Sequence, residues 1–317
     1  MQHILVSGGA GFIGSNLIGS LLSAGGFKIH CIDNFDDFYT PDIKRKNIGK
    51  YVNHPDFFLY EGDIRDAEFL NRIFGNHIDI IVHLAARAGV RPSISNPALY
   101  VDVNINGSLN LLEKARIHQI KQFVFASSSS VYGDNPNTPW DENENISKPI
   151  SPYAATKGAV EMIGYSYSHL YNIRFMALRL FTVFGPGQRP DLAIHKFFKS
   201  IDEGSPLPFY GDGTTSRDYT FVGDIVSGIQ AAMQYDQSNF EVFNLGNNTS
   251  IKLIELLAMI EEILDKKAIL KRSDIPQGDL LHTCANIDKA KRLLNYQPKT
   301  DIRKGLLAFR DWYFSNK

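Results

Sequence analysis

The sequence predicts an α/β protein: a doubly wound parallel sheet followed by a smaller C-terminal lobe. Three observations predict it. Apolar runs of strand length alternate with amphipathic segments of helix length through the first half of the chain. Runs such as IDIIVHLAA and KQFVFASSS are apolar on both faces, as parallel strands covered on both sides must be. A Gly-rich turn joins the first strand to the first helix. The expected strands are His3–Ser7, Ile29–Asp33, Phe57–Glu61, Ile78–His83 and Gln122–Ser127. The helices among them are Phe12–Ala24, Ala67–Phe74, Asn104–His118 and Tyr153–Tyr171. Strands spaced by helices imply right-handed βαβ crossovers. Ile173–Leu180 reads as a further strand, and a loop rich in Gly and Pro follows at Phe184–Pro190. Helices are expected at Ala193–Glu203, Val222–Met233, Ile251–Leu264, Ile287–Leu294 and Asp301–Ser315. This divides the chain into residues 1–183 and a lobe at 184–317, some of whose segments return to the first domain.

Composition narrows the function. With 317 residues, the chain is long enough for one large domain or two closely packed ones. Lys+Arg number 33 against Asp+Glu 34, a formal net charge of −1, which is not the balance of a protein held on nucleic acid or anionic lipid. Hydrophobic residues at 44% and charged ones at 21% exclude wholesale disorder. Cys31 and Cys284 form no CxxC unit, so neither a zinc site nor a disulfide framework is expected. No apolar run reaches the length of a membrane span, and MQHILVSGGAGFIG lacks the basic start of a signal peptide. The expectation is a cytoplasmic enzyme or binding protein without a resident metal.

Strand His3–Ser7 runs into Gly8-Gly9-Ala10-Gly11-Phe12-Ile13-Gly14 and then a helix. Such a turn lets backbone amides approach a pyrophosphate, whose charge the helix dipole favours. Glycines also serve plain turns. Here a strand precedes them, a helix follows, and Asp33 ends the next strand about 20 residues on. A carboxylate there accepts ribose hydroxyls and repels a 2′-phosphate, so a Rossmann-like domain binding NAD rather than NADP is expected, with Phe12, Ile13 and Asn34 on the same surface. Lys44, Arg45 and Lys46 follow closely; they either reach a phosphate or form a solvated surface run.

Tyr153-Ala154-Ala155-Thr156-Lys157 is a YxxxK on a predicted helix, and i, i+4 spacing puts both side chains on one face. A phenol of ordinary pKa, about 10, is a poor base at neutral pH. A nearby ammonium, together with the positive nicotinamide, stabilises the phenolate. Upstream, Ala126-Ser127-Ser128-Ser129-Ser130-Val131-Tyr132-Gly133 ends a strand. Ser128 there can hydrogen-bond the same substrate hydroxyl as Tyr153 and relay its proton, while Ser127 and Ser130 fit simple turn chemistry. The expected catalytic set is Ser128, Tyr153 and Lys157. His83 reads as a packed strand-end histidine, and Tyr132 and Trp140 as packing beside the site.

Gly8, Gly11 and Gly14 make a GxxGxxG. With Asp63 and Ile64 in GDIRD and Leu84-Ala85-Ala86 in HLAARAG, the chain resembles the extended short-chain dehydrogenase/reductase family from Met1 to about Trp312. The nucleotide-sugar epimerase/dehydratase group within it fits best. The resemblance implies that Asp63, Ile64, Leu84, Ala85 and Ala86 flank adenine and ribose. It implies that Arg217 in Arg217-Asp218-Tyr219-Thr220-Phe221 contacts the nucleotide diphosphate, and that Asp279 in Gln277-Gly278-Asp279 contacts the ribose. Gln277 stands where relatives more often have Arg-x-Gly-Asp or Pro-Gly-Asp, which leaves a diphosphate contact there open. As residues alone, Arg217 also fits a surface salt bridge and Asp279 a turn.

The implied reaction is oxidation of a sugar C4 hydroxyl: Tyr153 takes the proton, hydride passes to NAD+, and a 4-keto sugar forms. Return of the hydride to the opposite face inverts C4 with no net use of NAD. Relatives that dehydrate the sugar resemble Thr-Asp-Glu where this chain has Ser128-Ser129-Ser130, so dehydration is disfavoured. The stretch Phe181–Ala193, with Thr182 and Arg189-Pro190-Asp191, and Ala88-Gly89-Val90-Arg91-Pro92-Ser93 resemble the UDP-glucuronate 4-epimerase group. A uronic acid brings a C6 carboxylate that needs compensating donors. Thr182 and Arg189 are the carboxylate candidates, with Ser128 and Ser129 nearby; Arg189 as a loop cap and Arg91 as a helix-start salt bridge stay open. Oxidised at C4, a glucuronate is a β-keto acid that loses CO2 unless its carboxylate is held out of line with the ketone.

The leading reading is conversion of UDP-glucuronate to UDP-galacturonate. A UDP-glucose or UDP-N-acetylglucosamine 4-epimerase, an oxidative decarboxylase, a dehydrogenase releasing NADH and a non-catalytic cofactor sensor are the alternatives. Neutral sugars would favour Asn over Thr182. His195 either flanks the uracil or is a surface histidine. In relatives, helices equivalent to Asn104–His118 and Tyr153–Tyr171 form a four-helix dimer interface. A homodimer is therefore expected through Leu109, Leu111, Leu112, Ala115, Met162, Ile163 and Tyr167.

Overall fold

A computed structural model describes residues 1–274 and 279–317. Its strands are β1 (Gln2–Ser7), β2 (Phe27–Asp33), β3 (Phe57–Glu61), β4 (Ile80–His83), β5 (Gln122–Ser128) and β6 (Arg174–Leu180), followed by β7 (Thr182–Phe184), β8 (Pro206–Tyr210), β9 (Ser216–Phe221), β10 (Phe240–Leu245), β11 (Ser250–Lys252) and β12 (Ile269–Ser273). The main sheet has seven strands in the order β10-β6-β5-β4-β1-β2-β3, every pair parallel. This is the expected doubly wound fold. β5 shows why: all of QFVFASS is buried, so its continuous apolar run serves two covered faces.

Helices Phe12–Ala24 and Val222–Gln234 cover one face, burying Leu17, Ile18, Leu21, Ile225 and Ile229 against Val6, Val124 and Met176. On the other face, Leu111, Leu112, Ala115 and Val160 pack on Leu5, Ile81, Phe123 and Phe175. Those residues come from helices Gly107–Ile117 and Pro152–Tyr171. Leu111, Leu112 and Ala115 are thus spent inside the fold, which corrects their expected place on a dimer face. The exposed apolar side chains of this region are Val101, Ile117, Met162, Tyr165, Leu170 and Tyr171.

The C-terminal half adds a three-stranded sheet, β11-β9-β7, and a parallel pair, β12-β8. Helices Ala193–Glu203, Leu253–Leu264 and Ile302–Ser315 close a separate core around Phe184, Phe198, Phe209, Leu256 and Phe309. β10 leaves this half to become the outer strand beside β6. Its run FEVFNL, like the short β7, β8, β9, β11 and β12, had no place among the expected strands. Ile251, expected in a helix, pairs with Arg217 in β11–β9, and the helix starts at Leu253. Asn104, expected in an α-helix, lies in a π-helical turn, Val101–Asn106, that precedes it. Among the described residues no helix is long and apolar enough to cross a membrane, and no cluster of His, Cys, Asp or Glu could hold a metal.

Candidate active site

Strand order reverses where β4 joins β1, and in open α/β sheets the crevice at such a point binds ligands. A cleft of about 490 Å³ lies there. It is lined by Gly8, Gly11, Phe12, Ile13, Gly14, Asp33, Asn34, Asp63, Ile64, Leu84, Ala85 and Ala86. Ser128, Ser129, Tyr153, Lys157, Thr182 and Arg189 line it too.

The glycines are required by their surroundings. Gly8 has φ 70°, and a Cβ on it would stand 2.6 Å from the Ala85 amide nitrogen. A Cβ on Gly14 would meet the Gly8 carbonyl at 2.4 Å, so this helix sits on the turn only without a side chain there. Asp33 ends β2 buried, its carboxylate accepting from Ala10 N at 3.1 Å and Phe35 N at 2.9 Å. Burial raises its pKa, opposed by Lys44 and these two amides. Lys44 is itself buried, its Nζ 4.0 Å from Asp33 Oδ1 and donating to the Asp36 carbonyl at 2.8 Å. That corrects the solvated-run reading at this position, because the helix Pro41–Gly49 turns Lys44 inward to meet two aspartates. Arg45 does face solvent, paired with Glu61. Asn34 donates to Asp63 at 3.0 Å, and Arg65 bridges Asp63 to Asp102, which fixes the far rim.

Ser151 caps the helix Pro152–Tyr171 by accepting from Ala154 N, and Pro152 opens it, so Tyr153 stands in the first turn. Burial pushes the Tyr153 phenol up, opposed by its hydrogen bond with Ser128 and by the Arg189 charge. Lys157 is buried, donates to the Ala126 carbonyl at 2.7 Å and has its pKa pushed down to about 7 by desolvation. Its Nζ lies 6.0 Å from the Tyr153 ring centroid. Ser128 Oγ is 3.0 Å from Ser130 Oγ and accepts from Ser130 N at 3.2 Å. Ser127 turns away to Glu161, which is locked in a buried pair with Arg179 at 2.8 Å.

Arg189 lies over the cleft with Nε and Nη2 each 2.9 Å from the Asp191 carboxylate. Arg91, Arg217 and Asp279 assemble elsewhere, beyond the lining of this cleft. Arg91 pairs with Asp279 and stacks on Tyr210 at 4.5 Å. Arg217 gives its donors to the carbonyls of Ser216, Leu280 and Leu281 and feels the Asp279 charge. Gln277 lies outside the described residues. His83 is fully buried between Ser7 Oγ at 2.7 Å and Ser108 Oγ at 2.8 Å, a packed histidine as expected. Tyr132 and Trp140 pack together at 5.0 Å between centroids. His195 is neither a surface histidine nor part of the cleft lining: it sits among Phe309, Trp312 and Tyr313 with Nδ1 2.9 Å from the Gln188 carbonyl.

Sequence reasoning missed Asp36, Phe38, Tyr39 and Arg87, all of which line the cleft. Arg87 stands inside the quoted HLAARAG, and a cation directly after the alanines that end on the cleft was the available signal.

A family model described as GDP-mannose 4,6 dehydratase matches residues 5–308. An uncharacterized protein of Methanocaldococcus jannaschii is 41% identical, over 100% of this chain and 97% of its own. A UDP-glucuronate 4-epimerase of Thermodesulfobacterium geofontis is 39% identical, over 100% of this chain and 97% of its own. The crystal structure of UDP-glucuronic acid 4-epimerase from Bacillus cereus, in complex with UDP-glucuronic acid and NAD, matches with a TM-score of 0.92 and 34% identity over 100% of both chains. With nearly the whole chain matched in sequence and fold, the protein belongs to the GDP-mannose 4,6-dehydratase family of short-chain nucleotide-sugar epimerases and dehydratases.

Proposed function

We propose that this protein is an NAD-dependent nucleotide-sugar 4-epimerase that converts UDP-glucuronate to UDP-galacturonate through a transient 4-keto sugar. One observation carries the reading. A single cleft joins Ser128, Tyr153 and Lys157 to Arg189 and Thr182, and of its lining carboxylates Asp36 is paired with Arg87 and Asp63 with Arg65. A carboxylate sugar meets there the hydroxyls of Ser128, Ser129 and Thr182 and the Arg189 cation, which Asp191 holds by one edge only.

The residues present suit NAD. Gly8 and Gly14 stand where a Cβ would strike backbone, which keeps the turn bare for close approach of a pyrophosphate, and Asp33 offers a carboxylate to a ribose. When bound, NAD supplies a reversible two-electron acceptor for the sugar C4–H bond. Tyr153 takes and returns the C4 hydroxyl proton, with Ser128 holding the same oxygen. Lys157, kept on the β5 backbone with Nζ 6.0 Å from the Tyr153 ring centroid, would hold a ribose hydroxyl of the cofactor. Arg189 and Thr182 hold the C6 carboxylate out of line with the ketone, which protects the β-keto acid from losing CO2. Ser128-Ser129-Ser130 offers no acid for expelling a C6 hydroxyl, and Glu161 behind them is committed to Arg179. That favours epimerisation over the dehydration in the family model's description.

We assign residues 1–183 to cofactor binding and 184–317 to the nucleotide sugar, with Arg91, Arg217 and Asp279 at the nucleotide end. A homodimer is supported by the exposed Ile117, Met162, Tyr165 and Leu170 on the two outer helices, and a cytoplasmic location by the unpaired thiols Cys31 and Cys284. Incubation of purified protein with UDP-glucuronate and no added NAD, followed by proton NMR, tests the reading. UDP-galacturonate is expected. A UDP-pentose product, or turnover confined to UDP-glucose or UDP-N-acetylglucosamine with NAD supplied, overturns it.

A further inference from the structure

We propose that Phe38 is a positioning residue for Arg189: the loop that follows Asp33 reaches over the cleft and holds, on one aromatic ring, the guanidinium that meets the sugar's carboxylate. The proposal rests on the reading of Arg189 above. The Phe38 ring centroid is 5.5 Å from Arg189 Cζ and 4.8 Å from Arg87 Cζ, so one half-buried phenyl serves two guanidinium groups. Each cation is backed by a carboxylate, Asp191 for Arg189 and Asp36 for Arg87. Asp36 also accepts from Phe38 N at 2.8 Å, and its carbonyl accepts from Lys44 Nζ at 2.8 Å. The backbone that carries the ring is therefore tied to the same carboxylate that holds Arg87.

The consequence for Arg189 is geometric. An arginine guanidinium is a flat group with two faces and five N–H donors, paired along two of its edges. Asp191 takes the edge formed by Nε and Nη2, and Phe38 stands beside the group as its π partner. Nη1 has no protein partner among the described residues, and Arg189 lines the cleft. An arginine held on an edge and against a ring meets a carboxylate with little further ordering, which is where preorganisation improves affinity. The same ring belongs to the loop that begins at Asp33, so the expected cofactor-binding loop and the expected carboxylate receptor share one contact.

The test is a double-mutant cycle on NAD-loaded protein, with the Kd of UDP-glucuronate and of UDP-glucose measured by calorimetry. The proteins are wild type, Phe38→Leu, Phe38→Tyr, Arg189→Ala and the Phe38→Leu/Arg189→Ala double variant. Phe38→Leu is expected to weaken UDP-glucuronate by about fivefold to thirtyfold and to leave UDP-glucose within about twofold. Phe38→Tyr restores the wild-type value, and Phe38→Leu adds nothing once Arg189 is gone. A loss shared by both sugars, or effects of the two substitutions that multiply, overturns the proposal and makes Phe38 a filler of space. Wild-type UDP-glucuronate binding in Phe38→Leu, with binding lost in Arg189→Ala, refutes Phe38 alone. Arg189→Ala indistinguishable from wild type for both sugars refutes the Arg189 reading and takes this proposal with it.

Discussion

Tyr153 and Lys157 share a helical face yet answer to different neighbours, and each makes its own prediction. Replacing Tyr153 by Phe removes the group that exchanges the C4 proton while keeping the ring in place. A loss in kcat of about a thousandfold with little change in UDP-glucuronate binding is expected from steady-state kinetics and calorimetry. Arg189→Ala should raise KM for UDP-glucuronate or release CO2 and a 4-keto-pentose, seen by NMR of the product mixture; unchanged kinetics without leakage contradicts its role. Lys157 predicts a pH signature. Its folded pKa is about 7 against an ordinary 10.5, so between those values the unfolded chain binds the extra proton. Stability from this group is fully present above about 10.5 and is lost as pH falls through about 7. The melting temperature of wild type relative to Lys157→Met should therefore rise from pH 7 toward pH 10 and stay flat if the lysine is not desolvated.

At the scale of elements, His83 ties β4 to β1 through Ser7 and to the helix Gly107–Ile117 through Ser108. Burial pushes its pKa from 6.5 to about 3, and that of His30 to about 4. The unfolded chain takes up these protons first as the solution is acidified, so stability present above pH 6.5 is lost on the way down to pH 3. Urea midpoints should fall more steeply with acid in wild type than in His83→Gln, whatever the offset between them; parallel slopes would contradict a buried neutral histidine. The elements themselves were legible where burial on both faces writes a continuous apolar run, as in β1 and β5, or where caps punctuate a helix. Helices Phe12–Ala24 and Ala193–Glu203 have the expected bounds, and Gly25 and Gly204 close them. The three-residue strands β7 and β11 carry no period to read, and β10 departs from the C-terminal half only because β6 has a free edge.

Across the whole molecule, the parts of the site that lie within one short stretch were legible: the glycine turn, the serine run, YxxxK. Those that depend on distant strands meeting were not. Arg91 and Asp279, read separately as substrate residues, pair with each other across the interval between β4 and the last strands. Phe38 and Arg87 acquire meaning only once the Asp33 loop folds over the alanines after β4. Association belongs to this scale too. Light scattering should give twice the chain mass of 35.6 kDa, and Met162→Asp with Tyr165→Asp should halve it; a wild-type monomer would contradict the dimer. In the proposed reaction C4 inverts and receives back the same hydrogen it gave up. UDP-glucuronate deuterated at C4, incubated in ordinary water without added NAD, tests it most directly. UDP-galacturonate that keeps its deuterium at C4 is expected; a product with hydrogen there, or a pentose, contradicts C4 inversion by a retained hydride.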